Sequence, residues 1–273
     1  MAVKMIALDL DGTTLNSEGK LSDFTRETLE KAINKGIYVV VCTGRAFSSL
    51  PAEILRVKGL RYTITSNGAI ITDLKDNSII YGDYLDENAV RESVRIASEN
   101  KLMIEGFWGG NAYLDADFYR EVEEHGCFNR NREYVLSTRK PIENLYEEME
   151  RNVNRIENIN FFFPNYDLME EMRPLIEGIP NAMTTSSFSN NIEVGGPDTC
   201  KRKAIAAFGE LFGISQEEIM CCGDAPNDIE MIKYAGIGVA MGNAWGGTKD
   251  YADYVTDTND DDGVAKAIIK FAL

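Results

Sequence analysis

Four apolar runs punctuate the chain, and each ends abruptly in polar residues. Met5-Ile6-Ala7-Leu8 runs into Asp9-Leu10-Asp11-Gly12-Thr13-Thr14, and Ile37-Tyr38-Val39-Val40-Val41-Cys42 into Thr43-Gly44-Arg45. Tyr62-Thr63-Ile64-Thr65 runs into Ser66-Asn67-Gly68-Ala69, and Ile219-Met220-Cys221-Cys222 into Gly223-Asp224-Ala225-Pro226-Asn227-Asp228. None alternates apolar with polar positions, so each reads as a strand buried on both faces in a parallel sheet. Helical patterns lie between them. Ser22 to Lys35 carries Ser22 as an N-cap, Phe24, Leu29, Ala32 and Ile33 on one face, and Gly36 as its stop. Cys200 to Phe212 places Ala204, Ile205, Phe208, Leu211 and Phe212 on its buried face and Lys201 in an exposed first turn. Strand and helix alternate, which predicts an α/β fold: a doubly wound, Rossmann-like parallel sheet whose functional residues gather at the strand carboxyl ends.

The middle third follows a different grammar, that of an inserted α+β domain. The pattern predicts a helix from Glu87 to Asn100 and a hairpin of Leu102 to Trp108 with Asn111 to Leu114, turning at Gly109-Gly110. Helices near Phe118 to Glu124 and Ile142 to Glu150 precede a strand from Asn158 to Phe163 that stops at Pro164. A helix near Tyr166 to Ile176 and strands near Ala182 to Phe188 and Asn191 to Val194 follow. The expected division is a core of residues 1–82 and 190–273 with an insertion of residues 83–189. Phe107, Trp108 and Tyr113 read as sheet packing rather than as the lining of a pocket.

The chemistry begins at Asp9 and Asp11. Two carboxylates one residue apart at a strand end repel unless a positive charge sits beside them, and where phosphate is also bound Mg²⁺ is the usual partner. Taken alone the hexapeptide is also compatible with an Asx turn at Asp-Gly. Its company decides between them, because three further strand ends carry residues fit for phosphate or metal.

In this order the motifs resemble the haloacid dehalogenase superfamily, specifically the Cof-type phosphatases with a large α/β (C2-type) cap, over nearly the whole length. Asp9-Leu10-Asp11-Gly12-Thr13 resembles the first family motif, Thr43 the second, Lys201 the third, and Gly223-Asp224 with Asn227-Asp228 the fourth. Ser66-Asn67-Gly68-Ala69, the stretch Val239 to Ala244, and Asp262-Gly263-Val264-Ala265 add to the likeness. The resemblance implies Asp9 as nucleophile and Asp11 as general acid and base. It implies phosphate held by the backbone N–H groups of Leu10 and Gly44, the Thr43 hydroxyl, Lys201 and Asn227. Mg²⁺ would be bound by Asp9, the main-chain carbonyl of Asp11 and Asp224, with Asp228 behind them. Arg45, Asn67 and Gly68 are candidate substrate residues. One departure is that Arg202, not glycine, follows Lys201. Lys201 is preferred over Lys203 for the third motif because it lies in the exposed first turn near the sheet edge, and a cation in that turn opposes the helix dipole, a small hint of function over stability.

Composition narrows the partners. The net charge of −16 and the lack of a basic run argue against nucleic acid. Five cysteines without metal-type spacing, three of them in or beside apolar strands, suggest reduced thiols and a cytoplasmic protein. No signal peptide or membrane-length apolar run is visible. His125, among Glu123, Glu124 and Gly126, reads as a helix-surface residue. The expected activity is a Mg²⁺-dependent phosphatase of small phosphorylated metabolites, sugar phosphates first, through an aspartyl phosphate. A phosphomutase on the same scaffold and a receiver that keeps its phosphoryl group are the rivals; a hydrolytic dehalogenase is disfavoured, because Asp11 has a clear acid role only in ester cleavage.

Overall fold

The computed structural model describes residues 2–127 and 131–273. They form two compact units: residues 2–44, 50–82 and 200–273 in one, and 45–49 with 83–199 in the other.

The first unit is built on an eight-stranded sheet in the order Tyr254–Val255, Ile237–Ala240, Ile219–Gly223, Met5–Leu8, Tyr38–Cys42, Tyr62–Thr65, Ile70–Asp73, Ser78–Gly82. The first six strands are parallel; Ile70–Asp73 pairs antiparallel with Tyr62–Thr65, and Ser78–Gly82 antiparallel with Ile70–Asp73. The absence of alternation is explained directly. Ile6 and Leu8 pack with Leu29, Ala32, Val264 and Ile268, while Met5 and Ala7 on the opposite face pack with Ala204, Ile205 and Phe208. A strand covered by helices on both sides needs apolar residues at every position. Helices Asp23–Asn34 and Gly263–Phe271 cover one face and Lys201–Phe212 with Ile229–Tyr234 the other. Ser22 caps the first helix, its side chain accepting from the Thr25 N–H. Two face assignments are corrected. Phe24 and Leu211 are exposed, because the buried stripes run through Thr25, Thr28, Leu29 and Ala32 in one helix and Ala204, Ile205 and Phe208 in the other. The hairpin of Ile70–Asp73 and Ser78–Gly82 widens the sheet beyond its parallel part.

The second unit has its own six-stranded sheet, ordered Met183–Thr185, Asn191–Gly195, Ile156–Phe162, Met103–Trp108, Asn111–Asp115, Arg139–Ile142. All pairs are antiparallel except the last. Helices Glu87–Asn100, Leu145–Arg151 and Tyr166–Glu177 seal one face through Val90, Val94, Met149, Ile159, Phe161 and Met172. The helix at 87–100 and the hairpin around Gly109-Gly110 lie where the sequence predicts them. Between His125 and Leu145 the prediction is corrected: helix Arg132–Thr138 and edge strand Arg139–Ile142 precede a shorter helix from Leu145. The second domain boundary also moves. Residues 190–199, expected in the core, belong to this unit because Asn191–Gly195 is hydrogen-bonded between two of its strands. Trp108 stacks on Tyr113 with ring centroids 3.9 Å apart, and both belong to the apolar packing of this unit. Among the described residues no helix is long and apolar enough to cross a membrane.

Candidate active site

From the centre of the first sheet the chain winds outward in one direction through Tyr38–Cys42 and in the other through Ile237–Ala240. The reversal lies between Met5–Leu8 and Ile219–Gly223, and open α/β sheets bind ligands beyond the carboxyl ends of such a pair. Asp9 and Asp224 emerge there. The Asp9 N–H donates to the Cys222 carbonyl at 3.0 Å, carrying the ladder one residue past the strand. The backbone then coils. The Thr13, Thr14 and Leu15 N–H groups all donate to the Leu10 carbonyl, at 3.3, 3.0 and 2.9 Å. That coil separates the two motif-one acids, expected on one side if the strand had persisted: Asp9 is buried and Asp11 exposed. Gly12 has φ +76°, and a Cβ there would lie 2.5 Å from Asp224 Oδ2, so any other residue would be strained and would displace the Asp224 carboxylate.

Lys201 begins its helix in the first unit, in a first turn expected to be exposed, yet it is only 1% exposed. Compensation explains the burial. Its Nζ donates to Asp9 Oδ1 and to Asp228 Oδ1, both at 2.6 Å. Asp228 is held in turn by the Asp224 and Ala225 N–H groups, which donate to its Oδ2 at 2.9 and 3.1 Å. Burial alone would lower the Lys201 ammonium, but Asp228 and Asp9 outweigh it and hold it above its ordinary value. Burial pushes the Asp9 carboxyl well up, only partly opposed by Lys201. Burial and then Asp228 push Asp224 up to about 7.

The other predicted residues fall around this cluster or away from it. Thr43 is buried, its N–H donating to the Ile64 carbonyl at 2.9 Å and its carbonyl accepting from the Asn67 N–H at 3.0 Å. Gly44 packs against Asn67, whose Oδ1 would stand 3.0 Å from a Cβ at that position. Asn227 Nδ2 donates to Asn67 Oδ1 at 3.1 Å. Arg45 belongs to the second unit, where Nη1 donates to the Ser49 carbonyl at 3.0 Å and the guanidinium lies 5.0 Å from the Tyr134 ring centroid. His125 is exposed at the end of helix Ala116–His125, beside Glu124. Two contacts had no assigned role. Thr13 Oγ1 donates to Asp224 Oδ1 at 2.9 Å, and Asn243 Nδ2 to the Gly12 carbonyl at 2.8 Å. Both residues sit inside quoted motifs, but hydroxyl and carboxamide partners more than 200 positions away leave no local signal.

One oxygen from each of Asp9, Asp224 and Asp228 lies within 4.8 Å of the others. Both oxygens of Asp228 are already engaged, one by Lys201 and one by backbone N–H groups. Three buried carboxylates against one ammonium leave an excess of negative charge, and an all-oxygen donor set suits a hard divalent cation.

Residues 6–268 match the family model of the haloacid dehalogenase-like hydrolases. Across 99% of this chain and 96% of the relative, 33% of residues are identical to the 5-amino-6-(5-phospho-D-ribitylamino)uracil phosphatase YcsE of Bacillus subtilis. A haloacid dehalogenase-like hydrolase of B. subtilis superposes with a TM-score of 0.84 at 29% identity, covering 99% of this chain and 100% of that one. A sugar phosphatase of haloacid dehalogenase subclass IIB does so at 0.83 and 26% identity, covering 98% and 99%. The chain thus belongs to the haloacid dehalogenase-like hydrolases, as a Cof-type phosphatase.

Proposed function

We propose that this phosphatase is Mg²⁺-dependent and hydrolyses phosphate monoesters of sugars and sugar-like polyols, with Asp9 as nucleophile. The observation that carries the reading is the buried Asp9 carboxylate at the sheet reversal, bonded to Lys201 and grouped with Asp224. Asp9, the Asp11 carbonyl and Asp224 would hold Mg²⁺, which supplies positive charge to the phosphate oxygens and to the carboxylates themselves.

The remaining work belongs to the chain. Backbone N–H groups of Leu10 and Gly44, the Thr43 hydroxyl, Asn227 and Lys201 bind and orient the phosphoryl oxygens. An Asp9 oxygen forms a bond to phosphorus as the ester P–O bond breaks, and Asp11 gives its proton to the departing oxygen. Asp11, now ionised, takes a proton from a water whose oxygen attacks phosphorus. The P–O bond to Asp9 breaks, releasing inorganic phosphate and restoring both carboxyl groups. Asp228 holds Lys201 beside Asp9 throughout. The names of the relatives support an ester of a polyhydroxylated group, since one acts on a ribityl phosphate and another on sugar phosphates.

The test is a panel of hexose, pentose and polyol phosphates with 5-amino-6-(5-phospho-D-ribitylamino)uracil included, read by phosphate release over many turnovers with Mg²⁺ and with chelator. Continuous release that requires Mg²⁺ is expected for at least one member. One equivalent of phosphoenzyme without further release would assign a receiver, and isomerised sugar phosphate without free phosphate a mutase.

A further inference from the structure

Ser66, Asn67 and Gly68 stand in succession in the left-handed region, with φ of 52°, 55° and 104°. Asparagine tolerates that conformation and glycine adopts it freely, but serine does so rarely, and two non-glycine residues in a row persist only when their surroundings hold them. These three are buried, and what holds them is the phosphate side of the candidate site. The Asn67 N–H donates to the Thr43 carbonyl at 3.0 Å. The Asn67 Oδ1 accepts from Asn227 Nδ2 at 3.1 Å. Gly68 meets the start of the Lys201 helix so closely that a Cβ would lie 2.4 Å from the Cys200 carbonyl oxygen and 3.0 Å from the Lys201 nitrogen.

The second contact also settles which way one carboxamide faces. Among the described residues Asn227 Oδ1 is buried without a hydrogen-bond partner, so the contact on its Nδ2 side fixes the group. Reversing it would set oxygen against Asn67 Oδ1, whereas the bonded orientation presents an amide nitrogen with a second hydrogen to give. One strained loop therefore touches Thr43, Asn227 and the first turn that carries Lys201.

We propose that Ser66-Asn67-Gly68 is a positioning loop that sets Thr43, Asn227 and Lys201 in common register for the phosphoryl group, and that Asn67 and Gly68 act through those residues rather than on the substrate. The inference rests on the reading of Thr43, Asn227 and Lys201 as phosphate-binding.

Two variants separate the parts. Asn67→Gly keeps the left-handed backbone and deletes only the carboxamide; Gly68→Ala forces a methyl group into the Cys200 carbonyl. Displacing a catalytic group by an ångström lowers rates by about 10²-fold, so Gly68→Ala is expected to cut kcat/KM for an aryl phosphate by that order. Asn67→Gly should lose about tenfold through Asn227. Because each loop residue works through a partner, the effects must not multiply. Gly68→Ala added to Lys201→Met, and Asn67→Gly added to Asn227→Ala, should each lower the rate by less than about twofold beyond the partner variant alone. Ranking across a panel of esters should stay as in the wild type. Multiplicative losses, or a changed ranking, would overturn the proposal, the latter by making Asn67 a substrate contact. If Gly68→Ala does not fold by circular dichroism, the Asn67 and Asn227 pair decides. Loop variants at wild-type rate while Asp9→Asn is inactive and Lys201→Met is strongly slowed would sink the loop alone; wild-type rates in those two would remove the functional reading beneath it.

Discussion

Each of the two units buries ionised groups, and it does so in opposite ways. In the cap unit Arg139 lies against Glu105, Nε donating to Oε1 at 3.0 Å and Nη2 to Oε2 at 2.9 Å, with the Tyr134 and Phe107 rings beside the guanidinium. One charge meets one charge in a bidentate fork, the geometry that best repays desolvation. Burial works to lower the Arg139 guanidinium, but Glu105 outweighs it and holds it above its ordinary range. In the core unit Lys201 faces Asp9 and Asp228, and Asp224 stands beside them without a cation of its own. The cap pair is closed, whereas the core cluster, with three carboxylates against one ammonium, is left open by two negative charges when fully ionised. Burial first and the neighbouring carboxylates second push Asp9 and Asp224 upward, and such an open buried cluster is resolved by protonation or by a cation from outside. Closed charge builds architecture; open charge prepares a reaction.

The comparison breaks most visibly at Asp9. Asp9→Asn removes the proposed nucleophile and is expected to lower phosphate release by on the order of 10⁴-fold or more while the circular dichroism spectrum is kept. A variant retaining a tenth of the activity would dissolve the distinction between the two charge clusters. Arg139→Met should act on stability instead, costing about 3–5 kcal/mol because the buried Glu105 carboxylate loses the guanidinium that offsets its charge. Replacing both partners, Glu105→Leu with Arg139→Met, should recover most of that loss in a denaturant titration. If the single and double changes were equally destabilising, the pair would not be the closed unit described.

Mg²⁺ sharpens the contrast. At a concentration about 100 times its Kd it should add about 2.7 kcal/mol to the unfolding free energy of the wild type and much less to that of Asp224→Asn, seen as a smaller rise in Tm. The gain should depend on pH with a definite sign. Asp224 is raised from an ordinary 3.8 to about 7, so the metal-free protein is favoured at low pH and loses that contribution as pH rises through about 7. Mg²⁺ must displace the proton, so its affinity should strengthen from pH 5 toward about 7 and level off above. Calorimetry at several pH values measures both, and an affinity that is flat with pH would contradict the open cluster. The smallest effect lies in the cap. Asp86 accepts from the Ala89 N–H at 2.8 Å as the N-cap of Glu87–Asn100, and Asp86→Ala should cost about 1 kcal/mol with activity on an aryl phosphate unchanged.

Much of this molecule was legible in its residues. Continuous apolar runs announced strands buried on both faces, and the acids, hydroxyl and amides at their ends announced where a ligand would bind, because strand and helix periods and capping are local properties. The 87–100 helix and the Gly109-Gly110 hairpin were legible for the same reason. What only the tertiary structure decided depends on groups far apart in sequence. The first turn of the Lys201 helix read as exposed, but carboxylates 192 and 27 positions away hold the Lys201 ammonium buried. Asp9 and Asp11 looked like a pair until three N–H groups folded back on Leu10 and turned one inward and the other out. Residues 190–199 looked like the return to the core until strand pairing drew them into the cap sheet, since pairing partners are set by register with other strands and not by the residues of the strand itself. The strain at Ser66 and Asn67 likewise became visible only as backbone angles, which the surrounding Thr43, Asn227 and Cys200 impose on a tetrapeptide that could turn in many ways alone.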